Sequence, residues 1–205
     1  MLIEQNQNDQ AVEALRNHNF KSWEATVIIH WEKTDAVREV FALANLKKGL
    51  ENLKEDKFRE AEQAFRAALE YPANFNVGKS DTPNDERTLY WLAKTLKAQG
   101  REGEAREAWQ RAADLGREKG GISRVFAGLS LRELGQTQEA ERILTGVARA
   151  PANEQVGAAD LYAAGVFDLL ENRKAEASAK FRRLLEIDPF FWPARLELEE
   201  VDSST

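Results

Sequence analysis

Residues 100–109 read Gly100-Arg101-Glu102-Gly103-Glu104-Ala105-Arg106-Glu107-Ala108-Trp109. Glycine opens the segment, alanine follows five positions later, and a large apolar side chain stands four positions beyond that. The same order recurs as Asp56/Ala61/Phe65, Gly135/Ala140/Leu144 and Asn172/Ala177/Phe181. Each opening residue tolerates positive φ: Gly has no Cβ to clash, and Asn or Asp visits that region cheaply, so each can close a helix. The alanine lets a second helix approach the first, and the large residue one turn on fills the space between them. The repetition therefore predicts antiparallel helix pairs, each leaving an apolar face for a neighbour to cover.

Around these anchors the composition is that of a helical globular chain. It has 205 residues, 42% hydrophobic, with five Trp and ten Phe, enough for a sizeable core. The formal charge of −6 is spread over 29 basic and 35 acidic residues, which argues against a nucleic-acid surface. The chain contains no cysteine, so disulfides, thiol catalysis and thiolate metal sites are excluded. Gln5 to Asp9 are polar where a secretory signal places its apolar stretch, and no run approaches membrane-spanning length. A soluble, cytoplasmic protein with no membrane partner is expected.

The alanines Ala61, Ala105, Ala140 and Ala177 lie 44, 35 and 37 residues apart. The tetratricopeptide period is about 34, with a Trp-x2-Leu-Gly-x2-Tyr, Ala-x3-Phe and Pro pattern. The chain resembles that family over most of its length. Its second unit carries Leu89, Leu92, Ala93 and Leu96 before Ala105-x3-Trp109; its third carries Gly128, Leu131, Ala140-x3-Leu144 and Pro151. The fourth has Leu161, Gly165, Ala177-x3-Phe181 and Pro189, and the degenerate first has Gly49, Ala61, Phe65 and Pro72. A larger residue at Gly49, Ala93, Gly128 or Gly165 would force the helices of a pair apart.

The expected architecture is an all-α, right-handed solenoid of about four helix pairs. Residues 1–35 form a helical extension, 36–189 hold the repeats (36–72, 85–116, 121–151 and 157–189), and 190–205 form a capping helix and tail. In the extension Asp9–Asn17 reads as a short helix. The run Val27-Ile28-Ile29-His30-Trp31 fits either a buried strand or a helix start, with helix favoured by the surroundings. The long gap holds an inserted loop, 71–84, whose Phe75 and Val77 are apolar enough to pin it to the groove or flank of the stack. At the other end Phe190, Phe191 and Trp192 offer a surface for self-association.

A narrower likeness rests on Phe20-x-x-Trp23-Glu24, Tyr71-Pro72-x-Asn74-x-x-Val77-Gly78-Lys79 and Leu89-Tyr90-Trp91-Leu92. These look like the helical tail of large bacterial proteins in which a carbohydrate-enzyme-like β-sandwich region of uncharacterised function precedes tetratricopeptide repeats. Ser22 departs from that group's proline, and Ala25-Thr26 from its glycines. The likeness implies that the chain corresponds to the tail alone, either as a fragment or as a free-standing relative. It also makes a β-sandwich domain, in cis or in a companion chain, an expected partner.

Motifs of catalysis are missing. Gly78-Lys79-Ser80 lacks the glycine of a phosphate loop, since Ala73 stands in its place. His18 and His30 have no converging ligands, so no metal and no cofactor are expected. The sequence shows no nucleophile elbow or Ser/His/Asp set, and a non-enzymatic scaffold is the reading.

Helical spacing from the Gly position puts Arg87, Tyr90, Lys94 and Lys97 on the concave side of the second unit. It puts Val125, Leu129 and Arg132 there in the third, and Tyr162, Val166 and Leu169 in the fourth. Cations concentrated on one strip of an acidic chain would draw an acidic or carboxylate-ended peptide. The family's chaperone-binding carboxylate clamp needs groove asparagines that this chain lacks. In the alternative role, an accessory module of a carbohydrate-active protein, Trp23, Phe75, Tyr90 or Trp91 would stack on sugar rings. Core packing is the competing role for Trp91 and Trp109.

Overall fold

A computed structural model describes residues 2, 5, 7–20, 36–76, 78, 80–148 and 157–203. The run Val27–Trp31, with His30, lies outside the described residues, as do Trp23, Val77, Lys79 and Pro151. Among the described residues there are ten α-helices, one short 3-10 turn and no strand. The chain is all-α, as the repeats required. It divides into two compact units, 1–108 and 109–205.

Unit 1 contains α1 (Asn8–Asn17), α2 (Ala36–Lys54), α3 (Phe58–Ala68), α4 (Glu86–Ala98) and the start of α5 (Glu102–Gly116). Unit 2 contains the rest of α5, then α6 (Gly121–Glu133), α7 (Thr137–Ala148), α8 (Ala158–Leu170), α9 (Lys174–Ile187) and α10 (Trp192–Ser203).

Four turns, between α2 and α3, α4 and α5, α6 and α7, and α8 and α9, share one recurring hydrogen-bond pattern. Asp56, Gly100, Gly135 and Asn172 have φ of 57°, 77°, 82° and 61°. The N–H after each donates five residues back: Lys57 to the Asn52 carbonyl, Arg101 to Leu96, Gln136 to Leu131 and Arg173 to Asp168. This Schellman closure satisfies carbonyls that the ending helix would leave orphaned. The carbonyls of Lys57, Arg101, Gln136 and Arg173 then accept the first bond of the next helix, from the N–H of Ala61, Ala105, Ala140 and Ala177. A three-residue turn thus ends one helix and starts its partner. Sequence spacing and turn geometry are two views of one constraint.

Packing follows from the turn. All four alanines are fully buried, as are Phe65, Trp109, Leu144 and Phe181 four residues on. Burying each of these large side chains contributes roughly 1.5–3 kcal/mol. A Cβ on Gly49 would run into the Phe65 ring. One on Gly128 would lie 2.8 Å from Leu144, and one on Gly165 would lie 2.5 Å from Phe181. Close crossing and large filler are therefore paired within each of these hairpins. In unit 2, α6 also lies against α8, and α7 against α8, so successive pairs stack side by side. Ala113, Leu131, Ala140 and Ile143 form a buried cluster there, and α10 packs on α9 at the end of the unit.

Candidate functional site

In unit 1 the insertion is tied down at both ends by one arginine. Arg38, in the first turn of α2, donates to Asp85 at 2.6 Å and to the Ala68 carbonyl at 3.1 Å. Its guanidinium lies 4.4 Å from the centre of the Tyr71 ring. Both partners of the Arg38–Asp85 pair are almost completely buried. The chain leaving α3 and the chain entering α4 are thereby brought to one point. Between them Phe75 is 3% exposed and meets Phe41 edge-on at 5.2 Å and Phe20 at 5.7 Å. Its ring has no open face on which a sugar could stack, so the residue serves as the loop's anchor.

This clamp sets the start of α4. Positions 87, 90, 94 and 97 fall on one stripe of a helix with 3.6 residues per turn. Arg87 and Lys94 are half-buried, Lys97 is exposed and Tyr90 is 8% exposed. Trp91 is half-buried beside the stripe, with its ring 5.3 Å from Tyr90 in an edge contact. Its indole N–H is enclosed without a hydrogen-bond partner.

At the far end of α4 a second network begins. Glu62 of α3 accepts from Arg101 at 2.6 Å, Arg66 at 2.8 Å and Gln99 at 3.0 Å. Burial pushes the Glu62 carboxyl up, but the hydrogen bonds from Arg66, Arg101 and Gln99 outweigh it and hold the group below the usual carboxylate range. Arg101 also takes both oxygens of Glu104 at 2.6 Å each. That bond holds the Glu104 carboxyl low and raises the Arg101 guanidinium further.

In unit 2 the positions marked from the sequence have other duties. Val125 is fully buried, and Leu129 and Val166 are 5% and 3% exposed, so they belong to the interior; Leu169 is half-buried. Arg132 donates to Glu171 at 2.7 Å and to Glu141 at 3.5 Å. Tyr162 gives its hydroxyl to Glu197 of α10 at 3.1 Å, and its ring lies 5.4 Å from Phe191. Asp168, also buried, is held by Arg173 at 2.7 Å and by Lys180. Phe190 is 86% exposed, Phe191 is turned onto Tyr162, and the Trp192 side chain lies outside the described residues.

Spacing alone did not reveal Arg38, Asp85, Asn74 or Asn76 as positioning residues. Asn74 did carry a signal, as part of the Tyr71-Pro72-x-Asn74 motif. Its amide donates to the carbonyls of Leu15 at 3.0 Å, Arg16 at 3.3 Å and His18 at 2.7 Å, closing the C-terminal end of α1 from a distant part of the chain. No group of three or more His, Cys, Asp or Glu placed to hold a metal ion occurs among the described residues. No helix among them is long and apolar enough to cross a membrane.

The helix pairs and their turns define a tetratricopeptide-like repeat architecture. No protein-family model matches the chain, and neither does any curated protein. Among solved structures, YrrB, titled a TPR protein with an unusual peptide-binding site, is 19% identical and aligns with a TM-score of 0.36. The alignment covers 94% of this chain and 84% of that one.

Proposed function

We propose that the chain is a non-enzymatic scaffold that holds an acidic peptide or protein segment against the cationic stripe of α4. The observation that supports this most is Arg87, Lys94 and Lys97 on one side of a single helix, beside Tyr90 and Trp91, in a chain of net charge −6. A cationic strip on an acidic body concentrates field locally and attracts carboxylates that the rest of the surface repels. Half-buried Trp91, backed by the Tyr90 ring, supplies apolar contact area for the partner's side chains. The anchored insertion holds the start of α4, so the strip is organised before a partner arrives. The narrower sequence resemblance makes a β-sandwich domain, in this or a companion chain, the first folded partner to try.

The test is fluorescence anisotropy with a labelled Asp/Glu-rich peptide and a Lys-rich control of equal length. The acidic peptide should bind and weaken with salt, and Arg87→Glu with Lys94→Glu should abolish the signal. Equal binding of both peptides, or an unchanged acidic-peptide affinity in the folded double mutant, would refute the reading.

A further inference from the structure

The attachment of α1 differs in kind from that of the helix pairs. Ala11 is its one fully buried apolar residue; Val12 and Leu15 are half-buried. Among the described residues the ion pairs Asp9–Lys48 and Arg16–Glu70 join it to the body, and each has an exposed partner. Pairs of that sort, screened by solvent, add little to stability. A ten-residue helix is also too short to persist alone in water. At its start buried Asn8 donates to Glu51 at 2.9 Å, and at its end stands a set of directed hydrogen bonds. Asn74 donates to three carbonyls at the end of α1, the Phe20 N–H donates to the Asn74 carbonyl at 2.8 Å, and Asn76 donates to the Phe20 carbonyl. Beneath them Phe20 leans on Phe75, and the Arg16 guanidinium lies 5.3 Å from the centre of the Phe41 ring.

We infer that residues 7–20 form a releasable strap, latched by Asn74, which opens while the helix pairs of unit 1 stay folded and uncovers the Phe41–Phe75 pair. Opening breaks a handful of polar contacts and uncovers Phe41 and Phe75 but leaves the interiors of the helix pairs closed, so it exposes less surface than unfolding of the unit. The pairs α2/α3 and α3/α4 hold fully buried Phe65, Ala61 and Leu89, and they open only with the unit. Asn74 acts as a latch because α1 ends without a partner of its own for those carbonyls.

Hydrogen exchange of the full chain, read by mass spectrometry across a urea series below the unfolding midpoint, tests this. The amides of α1 should exchange through an opening with a shallower urea dependence than that of α3, because the slope follows the surface exposed and the strap uncovers less than the whole unit does. Asn74→Ala should speed exchange in α1 about tenfold or more, the effect of losing one amide that bonds three carbonyls, and leave α3 and α4 unchanged. Asn74→Asp, which cannot donate, should do at least as much. A common urea dependence for α1 and α3 in the wild type overturns the strap. So does a folded Asn74→Ala variant that changes neither helix or both equally. Should the variants fail to fold, the wild-type urea series decides alone.

Discussion

Gly165→Ala places a methyl group where the fold has least room. A Cβ there lies 2.5 Å from Cε1 of Phe181 and 2.9 Å from both Cδ1 and Cζ, and that ring is fully buried. The ring cannot swing into solvent, so the α8/α9 crossing must widen. Overpacking of this kind costs about 1–3 kcal/mol. Alanine's better helix propensity returns roughly 1 kcal/mol, and three ring atoms inside 3 Å put the cost at the upper end, leaving a net loss of about 1–2 kcal/mol. Gly146→Ala, in α7 of the same unit, meets nothing within 4 Å and should instead gain about 0.5–1 kcal/mol. Gly128→Ala should fall between them, since Leu144, 2.8 Å away, has rotamers to change. Urea denaturation followed by far-UV circular dichroism ranks the three variants. In a chain of this length each 1 kcal/mol corresponds to about 2–4 °C of Tm. Phe181→Leu in the Gly165→Ala background should recover part of the loss, a coupling that independent sites would not show. A Gly165→Ala protein as stable as the wild type would refute the close-crossing explanation of the repeat.

The turn residues give a second pair of opposite outcomes. Gly135→Ala, at φ 82°, should cost about 1–2 kcal/mol, whereas Asn172→Gly, at φ 61°, should be neutral or gain a few tenths by calorimetry. Arg38→Met leaves the Asp85 carboxylate buried without its guanidinium and should destabilise by roughly 3–5 kcal/mol in urea melts, with Asp85→Asn recovering part of it. Glu62 has its folded pKa depressed, so its contribution is present above its usual value of 4.5 and lost as pH falls through the lower folded value. Acid titration of stability should therefore be shallower below pH 4.5 in Glu62→Gln than in the wild type.

The pairs were legible in the sequence because their determinants are local. A residue tolerant of positive φ, an alanine and a filler lie within ten positions, and the turn bonds that realise them span five. Asp56 and Asn172 could be recognised beside two glycines because the backbone, not the side chain, defines the site. The Gly positions were legible for a related reason: Gly49, Gly128 and Gly165 each meet the large residue of the following anchor set.

Helical spacing identifies which positions share a side, but it does not say which of them the fold has already engaged. Arg132 is marked by helical spacing, and its carboxylate partner Glu171 stands 39 residues on, one full repeat away. The Arg101–Glu62 bond has the same separation, and Arg38–Asp85 spans 47 residues. Contacts at those distances depend on how one pair stacks on the next, which no window of a single helix contains. Tyr162 is engaged from further outside its repeat, by Glu197 and Phe191 beyond the last pair. The insertion follows the same logic in reverse. Its polar residues look like an unstructured linker when read along the chain, but Asn74 finds three carbonyls more than fifty residues back and Arg38 fixes both ends of the loop. A departure from the repeat period thus marks where the fold joins its first pair to its N-terminal helix, and that junction sets where α4 begins.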